Sequence, residues 1–136
     1  EEIATFRARS ARGGAAAGVE FLAARWAAKE ALHKALRTAR LRFDHVRVVG
    51  VEQVVASGGG GRLLQAATAA RVGELTAASA PAPPPVLEFH GDALRVLQQW
   101  SAAQAGSGGL PTFVLSMSHD GEYAVAVAIA SAGRLA

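Results

Sequence analysis

Glu30, Lys34 and His119 are the residues whose types and positions could do chemistry. Glu30 and Lys34 lie in Trp26-Ala27-Ala28-Lys29-Glu30-Ala31-Leu32-His33-Lys34-Ala35-Leu36. Four residues apart on a helix, they share one face, and Arg37 follows about one turn on. Arg25, Lys29 and His33 form the neighbouring row. The chain has fourteen basic residues, and only Lys29 and Lys34 are lysines. A carboxylate beside a lysine and an arginine suits magnesium-assisted phosphate chemistry. Mg²⁺ takes one or two carboxylates plus phosphate oxygens and water, and the cations neutralise charge on the phosphate and leaving group. On most helices such a pair is a surface ion pair contributing ~0.2–0.5 kcal/mol. Here it sits among alanines and leucines, so the polar stripe is narrow and borders a crevice.

His119 lies in Ser116-Met117-Ser118-His119-Asp120, at the end of a predicted strand before an Asp120-Gly121 turn. A single histidine is more often a structural hydrogen-bonder than a catalyst. His33, His45 and His90 have no zinc-site spacing. With no cysteine, disulfides, thiolate metal sites and cysteine nucleophiles are excluded. There is no nucleophile elbow. Gly58 to Gly61 lacks the lysine and the strand–helix setting of a phosphate loop.

These residues must be positioned by a single small domain spanning residues 1–136. Hydrophobic residues make up 51% of it, many of them alanine, so helices should approach closely. No apolar run reaches membrane-spanning length, which argues against a membrane partner. Absent cysteine fits a reducing compartment: the cytoplasm, or an organelle matrix if an upstream targeting segment was removed. Residues 1–42 hold nine basic and four acidic residues, and residues 43–136 hold five and seven. The first part should therefore face an anion: a phosphorylated small molecule, an acidic protein or nucleic acid.

The pattern predicts a helix from Glu1 to Arg12, broken at Gly13-Gly14. A second helix runs from Glu20 to about Thr38, with Phe21, Ala24, Ala28, Leu32, Ala35 and Leu36 inward. Phe43 to Val55 reads as a strand bent at Gly50. Residues 57–84 read as a flexible insertion of low functional weight, and deleting residues 58–80 should leave the fold nearly unchanged. It starts with a glycine loop and a weak alanine-rich helix over 62–80, and a proline linker over Pro81 to Pro85 follows. Val86 to His90 is a short strand. Asp92 is placed to cap a helix whose apolar face is Ala93, Leu94, Leu97 and Trp100. Thr112 to Ser118 alternates, with Phe113, Leu115 and Met117 on one side. Tyr123, Val125, Val127 and Ile129 alternate with four alanines, which suits a strand covered on both faces.

Together these segments resemble the 4′-phosphopantetheinyl transferase superfamily, in its holo-acyl-carrier-protein synthase branch. The resemblance rests on Phe21 to Ala31 with Lys34-Ala35-Leu36, on Phe43 to Val48, on Pro85 to Leu94, and on Leu115 to Asp120 with Tyr123 to Ala126. It covers most of residues 1–56 and 85–130. It implies an α+β fold, with a long helix packed on a small, mainly antiparallel sheet formed by residues 43–55, 86–90, 112–118 and 123–130. The implied reaction moves the phosphopantetheine arm of coenzyme A onto a serine of an acyl carrier protein, as fatty acid biosynthesis requires. The other product is adenosine 3′,5′-bisphosphate. By resemblance Glu30 is a Mg²⁺ ligand, Lys34 lies near the phosphates and stabilises the leaving group, and Arg25 and His119 contact coenzyme A. Ser118 helps hold the nucleotide, and Pro85 begins a segment lining the coenzyme pocket. Short members of the family form homotrimers with active sites between subunits. The alanine face of the last strand would allow that packing.

The chain departs from the family in two respects: the insertion at 57–84, which falls between strands where length is tolerated, and a missing N-terminal strand. The family's N-terminal strand carries a Gly-Ile-Asp-like motif whose aspartate is a second metal ligand; it should precede Glu1. Glu1 and Glu2 lie in a helix-like stretch and are poor substitutes, so the resemblance implies an N-terminally truncated domain. Two rival readings remain. One is a transferase-like domain with only a structural role. The other is a basic nucleic-acid-binding module, disfavoured because aromatic residues are not interleaved with the arginines.

Overall fold

A computed structural model of the chain describes residues 2–37, 40–49, 64–66, 85–106, 109–120 and 122–132. The first element, α1 (Glu2–Leu36), is one helix by hydrogen bonding but bends at Gly14, whose φ of 77° and ψ of 179° are not helical. A positive φ is open to glycine at little cost, which is why the bend falls there. The sequence places the break at Gly13-Gly14; the structure puts the non-helical residue at Gly14 and resumes the helix well before Glu20. The two limbs fold back on each other. A Cβ at Gly18 would collide with Phe6 and Ser10, and the Arg9 guanidinium lies 5.1 Å from the Phe21 ring centre. The hairpin closes where Glu2 meets Lys29 at 2.9 Å and accepts a hydrogen bond from the Val48 backbone N–H.

The helix ends at Leu36, and Arg37 takes φ 47°. This left-handed position usually carries glycine, because a Cβ there costs roughly 1 kcal/mol. Arg37→Gly should therefore raise stability by about 1 kcal/mol. A thermal melt checks this; an unchanged or lower midpoint would mean that the arginine side chain contributes more than the backbone loses.

A 3₁₀ turn (Phe43–His45) leads into β1 (Val46–Val49). The predicted strand over Phe43 to Val55 is corrected at its start: Phe43, Asp44 and His45 form a turn. Residues 50–55 lie outside the described part. Then come β2 (Leu64–Ala66), β3 (Val86–Phe89), α2 (Ala93–Ala105), β4 (Thr112–Asp120) and β5 (Tyr123–Ser131). The strands form two antiparallel sheets rather than one, in the orders β1-β3-β2 and β4-β5.

β2 overturns part of the insertion reading. Leu64, Gln65 and Ala66 pair with Glu88, Leu87 and Val86, so these three residues are strand, not helix, and hold one edge of β3. Deleting residues 58–80 would remove them. The rest of 57–84 lies outside the described residues. Asp92 stands at the N-cap of α2, but its side chain makes no capping hydrogen bond; its carboxylate lies 3.4 Å from Arg95 instead.

The core joins Ala28, Leu32 and Leu36 of α1 to Val46 and Val48 of β1, Leu87 and Phe89 of β3, Val96 and Leu97 of α2, and Phe113 and Leu115 of β4. Ala35, predicted to point inward, is only partly buried. The β5 reading is also corrected. Its alanines at 126, 128 and 130 pack against the core, but Tyr123, Val125, Val127 and Ile129 are 54–74% exposed. One face of β5 is covered and the bulky face is open.

Candidate functional site

The closest approach of α1 to β5 builds a small cleft. Ala27, Glu30, Ala31 and Lys34 of the helix face Ala124, Val125 and Ala126 of the strand across a space of about 270 Å³. Alanines on both walls let the two backbones approach, and the long Glu30 and Lys34 side chains stand at the rim. Lys34 Nζ lies 2.9 Å from Glu30 Oε1, with the side chains 75% and 48% exposed. This matches the predicted placement of the pair beside a crevice.

The β4–β5 register puts His119 opposite Ala124 and Ser118 opposite Val125. Paired residues share a sheet face, so His119 lies on the face that carries Ala124, the one turned to α1. Ser118 shares the outward face with Val125, and both Ser118 and His119 are exposed. Among the predicted site residues, the structure thus brings Glu30 and Lys34 together in one cleft lining, while His119 is tied to it only through its strand partner Ala124.

Arg25, Ser118, His119 and Pro85 do not line that cleft. Pro85 is partly buried just before β3, in the other sheet. Arg25 turns to a second groove with Lys29. There its guanidinium sits 3.4 Å above the Phe21 ring, and Nη1 donates a long hydrogen bond of 3.4 Å to the Phe21 carbonyl. Among the described residues its buried Nε has no hydrogen-bond partner. Burial pushes the Arg25 pKa down to about 10, with Glu2 opposing the shift and Arg9 adding to it. His33, in the same sequence row, instead stacks on Phe43 at 4.5 Å, and burial lowers its pKa.

Sequence reasoning missed a buried charged group on the three-stranded sheet. Glu88 is 3% exposed; Arg47 Nη1 lies 3.7 Å and His90 Nε2 2.9 Å from its Oε2. Alternation of Val86, Glu88 and His90 against Leu87 and Phe89 was the available signal.

Among the described residues no three His, Asp or Glu side chains converge as a metal site. Glu30 is the one carboxylate in the cleft lining, and it is half exposed. That donor set fits a magnesium ion held mainly by phosphate oxygens and water. No described helix is long and apolar enough to cross a membrane. No family model, curated protein or solved structure matches the chain.

Proposed function

We propose that the chain transfers 4′-phosphopantetheine from coenzyme A to a serine of an apo-acyl carrier protein. The observation that carries this reading is the Glu30–Lys34 pair at the mouth of a cleft whose far wall is the strand paired with His119. In the reaction the serine Oγ bonds to the phosphorus of the arm, the phosphoanhydride bond breaks, adenosine 3′,5′-bisphosphate leaves, and the hydroxyl proton passes to solvent. Glu30 would hold Mg²⁺, which supplies charge neutralisation on the pyrophosphate. Lys34 stabilises the departing phosphate, and His119 binds a phosphate or ribose oxygen from the strand side. The basic character of residues 1–42 suits both a polyanionic coenzyme and an acidic carrier.

Arg25, Ser118 and Pro85 lie away from the cleft of a single chain, so their contacts with coenzyme A belong to a homotrimer in which a second copy completes the site. The open row of Tyr123, Val125, Val127 and Ile129 supports that assembly, since apolar patches of this kind mark interaction surfaces. This replaces the alanine face as the contact.

The test is the intact mass of an apo-acyl carrier protein after incubation with coenzyme A, Mg²⁺ and the chain. A gain of one phosphopantetheine is the expected result. No gain would favour a transferase-like domain without turnover, a reading consistent with the single carboxylate in the cleft.

A further inference from the structure

A second groove lies along α1 toward its N-terminal side from the cleft, lined by Val19, Leu22, Arg25, Trp26 and Lys29 of the helix with Phe43 of the following turn and the carboxylates Glu2 and Asp44. Its volume of about 580 Å³ is within the roughly 300–1,000 Å³ of small-molecule sites. Val19, Leu22 and Trp26, spaced by three and four, form one stripe along the helix, with 63%, 45% and 64% of their surface exposed. The Phe43 ring, 5.0 Å from that of Trp26, closes one side. An apolar wall in contact with water favours a hydrocarbon occupant.

The polar groups at the groove differ in one respect. Lys29 is paired with Glu2, and Glu2 also accepts from the Val48 N–H. Asp44 is held by two hydrogen bonds from Arg42. Arg25 feels the Glu2 carboxylate through space, and among the described residues its buried Nε has no hydrogen-bond partner. A guanidinium presents a planar fork that matches a carboxylate. An extended peptide would bring backbone groups needing several donors and acceptors, whereas an alkyl carboxylate needs one cation and an apolar wall.

We propose that this groove binds a free medium-chain aliphatic carboxylate, its chain along Val19, Leu22, Trp26 and Phe43 and its head on Arg25. The site shares no residue with the Glu30–Lys34 cleft; its one residue in common with the transfer reaction proposed above is Arg25, so a carboxylate held there would compete with coenzyme A for that guanidinium.

Trp100→Phe leaves Trp26 as the only tryptophan, so its emission reports on the groove. Hexanoate, octanoate and decanoate, below their micelle concentrations, should each give a saturable blue shift. Affinity should rise about fourfold per methylene. Decanol should bind at least tenfold more weakly than decanoate. Arg25→Gln should remove that preference, Leu22→Ser on the exposed stripe should weaken both ligands, and Lys34→Ala should leave binding unchanged. Equal binding of decanol and decanoate, absence of a chain-length trend, or insensitivity to Leu22→Ser would overturn the proposal. Should Arg25→Gln fail to fold by circular dichroism, the decanol comparison and Leu22→Ser in the otherwise unaltered chain decide it.

Discussion

In the transfer reaction proposed above, Glu30→Gln is expected to lower Mg²⁺-dependent transfer to the carrier protein by about a hundredfold or more while leaving the melting temperature almost unchanged. The size follows from the role: losing one preorganised charge at a centre where charge develops costs roughly 10²–10³ in rate. The unchanged melt follows from exposure. The Glu30–Lys34 pair is a surface pair at helical spacing, worth ~0.3–0.5 kcal/mol to the fold. Lys34→Ala should likewise lower kcat more than it weakens carrier binding, because the proposed reaction places its ammonium on the leaving phosphate. Steady-state kinetics with coenzyme A and carrier varied separately would check both. Near-normal turnover in Glu30→Gln would sink the metal assignment, and a Lys34→Ala effect confined to carrier binding would sink the leaving-group role.

Leu32→Ala, two residues further along the same helix, should do the opposite. Leu32 is wholly buried and belongs to the core. Removing its side chain costs about 2–5 kcal/mol, from lost transfer energy and the cavity left behind. The melting midpoint should fall by roughly 10 °C. Leu22→Ala, on the same helix but 45% exposed, should change it by no more than a degree or two. The contrast needs only two thermal melts. A similar fall for both variants would mean that the groove stripe is covered in solution.

The α1 pattern was readable because a 3.6-residue period leaves strong marks: Phe21, Ala24, Ala28, Leu32 and Leu36 recur at three and four, and all five are buried. The β4–β5 hairpin was readable for a similar reason, with an Asp-Gly turn signal between two alternating runs. The direction of β5 was not. A period of two says that the alanines and the large residues occupy opposite faces, but not which face meets the helix. Close approach of the α1 and β5 backbones selected the alanines. β2 was hidden because Leu64, Gln65 and Ala66 sit in an alanine-rich stretch, and its pairing with β3 is set by a partner some twenty residues away. A crevice beside Glu30 and Lys34 was expected from their setting among alanines and leucines, whereas Arg25 was assigned to coenzyme A only through the family resemblance. The fold-back at Gly14 brings Glu2 and Arg9 near the row of Arg25, Lys29 and His33, and Phe43 draws His33 away.

The alanine seam between α1 and β5 also bears on how the chain reaches its fold. The helical hairpin and the β4–β5 hairpin are each local in sequence, and such units form in microseconds. The seam joins Ala31 and Lys34 to Ala124 and Ala126, about ninety residues further along the chain. Closing so long a loop is entropically costly, though each doubling of length adds only about 0.6 kcal/mol. Docking of the two hairpins, which buries Leu32, Phe113 and Leu115 along with the alanine seam, is therefore expected to follow formation of each hairpin. The cleft that holds Glu30 and Lys34 comes into being only when that step is complete.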